Sequence, residues 1–366
     1  MRRGKSAMSA PQPNAAEHGP PSPFPEGWYF VGTSRQLKKS DITQMTWMGE
    51  EIVVWHDDEG RICVSEAYCP HLGSYLGPDA GGRVCDGRLV CPFHGFEFNA
   101  DGHCVATPYA PPPRSARLQT FATREICGMV FAWWGIGGRD PQWQLPEKEP
   151  DQTGWSNIEI RTLRFPGHPQ ETTENSVDLA HLQYVHGYDQ VNGDYPVRVD
   201  GPYLESRFDF KSRRRIAHLF NVDVSVSACA RIHGLGYSFV EFREHNVGTD
   251  MRLWILATPI DGEMINLSIV NQVKEIRSPN RNALGFALLP VRWRAPLVNK
   301  LAIALQRNDV QQDVTIWSRK RYVRRPRLCR SDGEIMTYRA YCAQFYPLQD
   351  EAPPATCEPA RSAELA

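Results

Sequence analysis

The 366 residues of the chain are enough for two domains that each bury a core, and 41 lysines and arginines nearly balance 42 aspartates and glutamates. This balance argues against a protein held on nucleic acid or on a membrane surface by charge alone. Ten cysteines are too few for a secreted disulfide scaffold and favour thiol or metal chemistry in a reducing compartment.

The two ends of the chain lack the patterns of packed structure. Residues 1–24 begin with a basic pair but contain no apolar core of a signal peptide, which predicts a disordered leader on a cytoplasmic protein. Residues 349–366 are rich in Pro, Ala and Glu and predict a disordered tail. No run of about eighteen apolar residues occurs, so no transmembrane segment is expected.

Residues 25–145 predict a small antiparallel β domain, because short apolar runs alternate with Gly, Asp and Asn turns. Asp101-Gly102 lies between two strand-like runs and predicts a hairpin. The other cysteines of this region, at positions 63, 85, 104 and 127, lie in such runs and are interpreted as buried apolar residues. Residues 135–154 carry four Gly, three Pro and many charges, which places a domain boundary within them, near residue 145.

The second domain, residues 146–348, combines strands with helices. A helix is expected near 171–187 and a longer one over 282–322, interrupted near Pro290 and Pro296. Strand patterns cover 216–230, 236–246, 250–260 and 264–275. An antiparallel sheet covered by helices is predicted, which is an α+β fold rather than a doubly wound one.

A set of metal-binding residue types occurs early in the chain, with the spacing CxH followed by CxxH. The four residues are Cys69, His71, Cys91 and His94. Two thiolates and two imidazoles suit one tetrahedral zinc, but zinc fingers usually keep Cys with Cys and His with His. One Cys and one His in each half instead favour a [2Fe-2S] cluster with two Cys on one iron and two His on the other.

A second set of polar residues follows the spacing NxxDxxHxxxxH and consists of Asn175, Asp178, His181 and His186. On a straight helix the two histidines would lie about 140° apart, too far to share a metal easily. A π-bulge, or a helix that ends before His186, would bring them together, and Gly187 is compatible with the second alternative.

Two imidazoles alone leave an iron site incomplete. Fe(II) that reacts with O₂ is typically held by two His and one carboxylate on one face, with the other face open. The carboxylate must come from a distant element, and the helical segment near residue 310 offers Asp309 and Asp313.

The CxH and CxxH spacing is similar to the Rieske iron-sulfur motif. From about Pro25 to Tyr346 the chain resembles the catalytic α subunit of a Rieske non-haem iron oxygenase, on three motifs in the expected order. The resemblance implies an N-terminal Rieske [2Fe-2S] β domain and a helix-grip catalytic domain with a mononuclear iron. In such late helices an Asp is followed three residues on by an apolar pair, as Asp313 is by Ile316-Trp317. Asp313 is therefore the predicted third iron ligand. Asp309 is kept as the alternative ligand, and otherwise it is interpreted as a solvated helix residue.

The same resemblance implies a head-to-tail trimer in which the cluster of one subunit serves the iron of its neighbour. Asp178 would then join an iron-ligand imidazole of its own chain to His94 of the adjacent cluster, and Asn175 would lie beside the iron ligands without binding metal. A carboxylate that accepts N–H from two ligand imidazoles would fix both rings.

The resemblance also implies O₂ as co-substrate and electrons from NAD(P)H. A separate reductase, directly or through a ferredoxin, would deliver them, because the chain has no flavin or nicotinamide fingerprint. The late segment resembles oxygenases of sterols and steroids and of hydrophobic pyrrole or indole products, so a bulky hydrophobic substrate is expected and no nucleic acid. Hydroxylation is favoured; desaturation and oxidative cyclisation remain open.

Two further points stay open at this stage. Large apolar residues of the expected sheet, such as Tyr237, Phe239 and Trp254, either line a substrate pocket or form ordinary core. The main rival function is a cluster-bearing electron carrier or redox sensor whose second domain holds no iron.

Overall fold

A computed structural model describes residues 22–38, 41–146, 150–193, 195–216, 220–246, 248–278, 288–330 and 332–347. Most of the predicted leader and the whole predicted tail lie outside these ranges. The first part of the helix expected over 282–322 also lies outside them, up to residue 287. Within the described ranges no helix combines the length and the apolar character needed to cross a membrane.

The N-terminal part consists of three small antiparallel sheets, with strand orders β1-β11-β10, β2-β3-β4-β9 and β5-β6-β7-β8. Its strands are β1 (Gly27–Thr33), β2 (Ile42–Trp47), β3 (Glu50–His56), β4 (Ile62–Glu66), β5 (Arg83–Cys85), β6 (Arg88–Val90), β7 (Glu97–Phe98), β8 (Cys104–Ala106), β9 (Thr120–Phe121), β10 (Thr123–Ile126) and β11 (Met129–Trp134), with one short helix, α1 (Ser34–Leu37). The predicted β domain is confirmed.

Two local predictions for this part have different outcomes. The Asp-Gly hairpin is confirmed, because β7 pairs antiparallel with β8 and the Gly102 N–H donates to the Asn99 carbonyl at 2.9 Å. Cys63 and Cys127 are buried and Cys104 is half-buried, but Cys85 is exposed, contrary to prediction. Cys85 ends β5 directly before the tight turn to β6, so its side chain lies at a surface hairpin rather than in a core.

The C-terminal part is built on one eight-stranded antiparallel sheet of order β12-β19-β18-β17-β16-β15-β13, with β14 paired to β15. The strands are β12 (Glu159–Pro166), β13 (Asp189–Asn192), β14 (Arg198–Asp200), β15 (Tyr203–Ile216), β16 (Phe220–His233), β17 (Tyr237–Glu244), β18 (Thr249–Pro259) and β19 (Met264–Val273). The four predicted strands are confirmed as β16–β19. Strands β12–β15 were not predicted. In β15, charged residues at positions 205, 207, 209, 211 and 213 alternate with more buried residues and face away from the core.

The helices cover one face of this sheet and are α2 (Pro169–Thr173), α3 (Ala180–Tyr184), α4 (Val291–Trp317) and α5 (Ile335–Cys342). The single helix expected over 171–187 is wrong, because a 3-10 turn at Glu174–Ser176 separates α2 from α3. Ser206 of β15 donates to the Ser176 carbonyl at 2.7 Å and holds the chain out of helical geometry there.

Helix α4 begins directly after Pro290, as predicted, but runs through Pro296 without a break. A proline inside a helix removes the amide that would bond the carbonyl four residues earlier, here that of Arg292. Both residues lie on the exposed side of α4, where water can take the place of that amide. The predicted interruption at Pro296 is therefore wrong.

One apolar cluster joins the two parts of the chain. Trp28 of β1 and Trp133 of β11 pack in it with Tyr237, Phe239 and Trp254 of the large sheet. These three sheet residues are therefore core between the two parts and do not line a pocket. The cluster fixes the N-terminal sheets against one face of the large sheet, at its central strands β17 and β18.

Two candidate metal centres

The first candidate centre is formed by two loops with the same local geometry. In each loop the cysteine carbonyl accepts the N–H of the residue four positions on: Gly73 to Cys69 at 2.9 Å and Gly95 to Cys91 at 3.0 Å. Both glycines have a positive φ, +73° and +68°, which other residues adopt only at a cost. The sequence thus folds into two equivalent turns that each bring one Cys and one His to one place.

The four candidate ligands differ in burial. Cys69 and Cys91 are buried, His94 is half-buried and His71 is exposed. The two imidazole rings lie 4.8 Å apart between centroids, and His71 stacks on Phe96 at 4.5 Å. Burial raises the pKa of the Cys69 thiol to about 12, so the site needs a bound cation to hold thiolate. Thiols inside and imidazoles outside match the two ends of a Rieske cluster.

Large apolar side chains surround the exposed imidazole edges. Leu72, Phe93 and Tyr109 are each more than 60% exposed, and Phe93 lies 3.8 Å from the His94 ring. Exposed apolar side chains gathered round a functional group are typical of a surface that contacts another protein.

The second candidate centre lies at the junction of α3 and α4. Helix α3 ends at Tyr184, and the chain turns through Gly187 at φ +64°, so the helix ends before His186 and no π-bulge is needed. The rings of His181 and His186 come within 5.3 Å of each other at an angle of 80°. Ligand atoms of these two residues and of Asp313 lie within 4.8 Å of one another.

Helix α4 supplies the carboxylates. His186 Nε2 and Asp313 Oδ2 are 3.3 Å apart, and both side chains are buried. Asp309, one turn earlier, accepts a hydrogen bond from the Tyr188 hydroxyl at 3.0 Å. Asp309 is therefore buried and paired rather than solvated as predicted, because Tyr188 follows the His186 turn and reaches the same face of α4.

Hydrogen bonds to the Nδ1 atoms orient both rings. His186 Nδ1 lies 3.2 Å from Gln312 Oε1, and His181 Nδ1 bonds the Asp178 carbonyl. With these oxygens as acceptors, each Nδ1 carries the proton and each Nε2 keeps its lone pair for a metal. Burial lowers the pKa of His181; at His186 burial is outweighed by Asp313, which raises the pKa.

Asp178 and Asn175 lie just before these ligands. The Asp178 carboxylate is partly exposed, with Oδ2 4.0 Å from His181 Nδ1 and Oδ1 3.4 Å from the His181 backbone nitrogen. Among the described contacts of this single chain, none joins Asp178 to His94. Asn175 lies half-buried in the 3-10 turn Glu174–Ser176, with no described side-chain bond to the iron-ligand candidates.

Residues that were not predicted from the sequence hold this segment in place. The buried Glu174 carboxylate pairs with Arg339 at 2.8 Å and Lys320 at 3.1 Å, and Lys320 also pairs with Glu171 at 2.7 Å. Gln312 and Tyr188 were missed as well. Their only signal in the sequence is adjacency: Gln312 directly precedes Asp313, and Tyr188 is two residues after His186.

The donor atoms fit the two metal groups that the residue types suggest. Two buried thiols with two outer imidazoles fit a [2Fe-2S] cluster of the Rieske kind. Two imidazoles and one carboxylate with ligand atoms within 4.8 Å of one another fit a mononuclear non-haem iron. A β domain with the first site, followed by an antiparallel sheet and long helix with the second, defines the class of Rieske non-haem iron oxygenases.

Comparisons with known proteins agree with this class. The Rieske [2Fe-2S] domain family matches residues 27–122, and the 3-ketosteroid 9alpha-hydroxylase C-terminal domain family matches residues 132–346. The second match covers more than half of the chain, so the chain belongs to this family of Rieske oxygenases. The predicted enzyme class is confirmed, and the rival prediction of an electron carrier without iron finds no support.

Three similar proteins illustrate the relationship. "Cholesterol 7-desaturase nvd" of Xenopus laevis is 31% identical over 89% of this chain and 72% of its own length. The "3-ketosteroid-9-alpha-monooxygenase, oxygenase component" of Rhodococcus rhodochrous is 27% identical over 92% and 88%. The crystal structure of dicamba monooxygenase bound to dicamba aligns with a TM-score of 0.59 at 16% identity, over 88% of this chain and 98% of that chain; it shows the shared fold.

Proposed function

We propose that this chain is the oxygenase component of an enzyme that oxidises a sterol- or steroid-like substrate with O₂. The observation that carries the proposal is the group of the half-buried His181 and His186 and the buried Asp313 beside an apolar cluster of the large sheet. Leu182 and Tyr188 belong to this cluster, and the Tyr188 ring lies 5.4 Å from that of His186, so the surroundings of the iron site are apolar. The names of the relatives support a polycyclic substrate.

The metal ligands of this proposal are the ones predicted above. Cys69 and Cys91 hold one iron of the cluster, His71 and His94 hold the other, and His181, His186 and Asp313 hold the mononuclear iron. Bound there, the cluster supplies single electrons and the mononuclear iron supplies the oxygen chemistry. The chain itself orients the ligand rings through the Asp178 carbonyl and Gln312, and it keeps water from the buried His186 and Asp313.

The assembly of this proposal is a homotrimer with Asp178 as the bridge between centres. Two observations support it: the apolar rim of Leu72, Phe93 and Tyr109 round the exposed His71, and the partly exposed Asp178 carboxylate. The electrons come from NAD(P)H through a separate reductase or ferredoxin, since the Rhodococcus relative is named as one component of a larger enzyme. The cytoplasmic location stays a prediction.

Two reaction outcomes are kept. Hydroxylation consumes O₂, two electrons and two protons and yields one alcohol and one water. Desaturation consumes the same reagents and yields one carbon–carbon double bond and two waters. Hydroxylation is the first candidate, because the longer family match is to a hydroxylase domain; the desaturase relatives favour desaturation as the second.

A turnover screen with a surrogate reductase tests the proposal. Sterols and 3-ketosteroids are incubated with protein, NAD(P)H and O₂, and the products are analysed by mass spectrometry. A product with one added oxygen supports hydroxylation, and one that lacks two hydrogens supports desaturation. His181→Ala should abolish either product and remove the mononuclear iron while the cluster absorbance stays. Uncoupled reductase oxidation with no product from any polycyclic substrate would contradict the substrate class.

A further inference from the structure

The near-zero net charge of the chain conceals a local excess of positive charge. Residues 288–308, most of them in α4, contain four cations and neither Asp nor Glu. At the average of the chain, 42 acidic residues in 366, a stretch of this length would hold about two. Arg294 is buried and donates to the carbonyls of Ile276 and Arg277, which leaves three cations for the surface.

The exposed side of α4 carries apolar and basic residues together. At 100° per residue, six exposed residues fall within about 100° of one another. We call this set the outer stripe; its members are Trp293, Pro296, Leu297, Lys300, Ala304 and Arg307. Trp293 is 56% exposed and Leu297 is 51% exposed, and the Arg292 guanidinium lies 5.6 Å above the Trp293 ring. Trp293, Pro296 and Leu297 are exposed neighbours at i, i+3 and i+4, and such an apolar patch is informative where a single exposed residue is not.

The cations of this surface differ in their ion pairing from cations of the large sheet. Arg231 and Arg243 each pair with a carboxylate within 3.1 Å. Among the described residues, Arg292, Lys300 and Arg307 form no ion pair with a carboxylate. The described part of the chain therefore leaves their charge uncompensated, and it is complementary to an anionic partner.

The inner face of α4 is firmly held, so the outer stripe has a fixed direction. Asn299 donates to the carbonyls of Asn157 and Asn271, and Ile303 is fully buried against the sheet. The same helix reaches Asp313 sixteen residues after Leu297, about 24 Å along the axis at 1.5 Å per residue. A partner that binds the outer stripe would therefore contact the same helix that carries the predicted iron ligand Asp313.

We propose that the outer stripe, with Arg292, docks on a lipid bilayer that carries anionic headgroups. Tryptophan and leucine enter the interfacial region of a bilayer, and Lys and Arg beside them bind anionic headgroups. The exposed Trp293 and Leu297 match the apolar part of such a surface, and Lys300 and Arg307 beside them match its anionic headgroups. The inference goes beyond the oxidation itself and holds whichever hydrophobic substrate is oxidised.

Vesicle flotation with the full-length protein tests this proposal. The vesicles contain either phosphatidylcholine alone or phosphatidylcholine with phosphatidylserine, at low and high salt. Stronger binding to the anionic vesicles, weakened by salt, is expected. The variant Lys300→Gln/Arg307→Gln should bind them about 30-fold more weakly, since each cation near an anionic surface contributes about 1 kcal/mol and 1.4 kcal/mol is tenfold.

Matched controls come from the edge of the sheet. Arg198→Gln/Lys211→Gln removes the same charge from exposed strand residues and should leave binding unchanged. Leu297→Ala should weaken binding to both kinds of vesicle. Val199→Ala, which shortens an aliphatic residue that is 44% exposed against 51% for Leu297, should not. Cluster absorbance and iron content, measured on each variant, separate this question from failure of the proposed oxygenase activity.

Three results would overturn the inference. The first is no flotation with anionic vesicles at low salt. The second is equal loss of binding in the stripe variant and in its sheet control. The third is a combination of two results: the wild type does not bind vesicles, and the stripe variant has a different number of subunits by mass photometry. That combination would make the stripe an interface between copies of the chain.

Discussion

Side chains that do not bind metal decide how the second centre is arranged. Gln312 fixes the imidazole of His186 through Nδ1, and Tyr188 ties the chain just after His186 to Asp309 on α4. Both bonds join the histidine segment to the carboxylate helix, so they bring ligands from distant parts of the sequence together before any metal is bound. Such partners fix ring orientation and commonly change metal affinity by 10- to 100-fold.

Replacing Gln312 should therefore weaken metal binding without unfolding the protein. Gln312→Ala is expected to lower the affinity for Fe(II), or for Co(II) as a spectroscopic probe, by about 10- to 100-fold. The matched control is Gln311→Ala, since Gln311 is exposed on the same turn and makes no described side-chain bond. Titration followed by the visible Co(II) bands measures both. Equal affinities in the two variants would show that Gln312 does not orient His186.

The two carboxylates of α4 should separate into a ligand and a structural partner. Asp313→Ala should lose the mononuclear iron. Asp309→Ala should keep most of it but lower the free energy of unfolding by about 1–3 kcal/mol, because the Tyr188 hydroxyl loses its buried acceptor. Iron analysis and urea unfolding of both variants check this. Iron loss in Asp309→Ala with full iron in Asp313→Ala would exchange the two roles.

At the scale of elements, the short helices α2 and α3 are held by charge rather than by their own length. Helices of five residues are not stable alone in water. An ion cluster of Glu171, Glu174, Lys320 and Arg339, with a buried Glu174–Arg339 pair, connects the turn before Asp178 to α5 and to the chain after α4. Breaking a buried ion pair on one side leaves an uncompensated charge and typically costs 3–5 kcal/mol.

Glu174→Gln should thus destabilise the protein, and it should loosen the second centre more than the first. We expect the free energy of unfolding to fall by about 3 kcal/mol and the iron content to fall while the cluster absorbance is kept. Glu125→Gln, which changes an exposed strand residue, is the control and should change neither quantity. An unchanged unfolding midpoint in Glu174→Gln would contradict the role given to the ion cluster.

At the scale of the whole molecule, the two centres face the outside at different places. His71 is exposed, and Asp178 is partly exposed next to His181. Residues that meet across a subunit interface must be accessible on the single chain, and the exposure of His71 and Asp178 satisfies this requirement of the proposed trimer. The apolar rim round the cluster histidines would be buried in the same contact.

Asp178→Asn should accordingly keep both metal centres but stop electron transfer between them. The amide keeps the size of the carboxylate but loses the charge and the second strong acceptor needed to bind two imidazole N–H groups. Iron and cluster content, and the rate at which a reduced cluster is reoxidised with substrate and O₂, measure the two effects.

Mixed trimers provide the control for this variant. Subunits with Asp178→Asn and subunits with His94→Ala are each expected to be inactive alone. Together they should regain part of the activity, because one interface then joins an intact cluster to an intact bridge. No recovery in trimers of confirmed mixed composition would argue against transfer between subunits.

The sequence by itself determined the residue types and spacing of both sites and four central strands of the sheet. The Cys-His pairs and the histidine pair are local: each lies within one short segment, and Gly73, Gly95 and Gly187 already indicate where the backbone must turn. The tertiary structure decided what depends on distant contacts. It separated α2 from α3, buried Asp309 against Tyr188, joined Gln312 to His186 and enclosed Glu174 among cations of later elements. None of these follows from spacing, because each depends on a hydrogen bond or ion pair between segments at least 30 residues apart, and three of the four between segments more than 100 residues apart. Such contacts depend on how the sheet and helices pack.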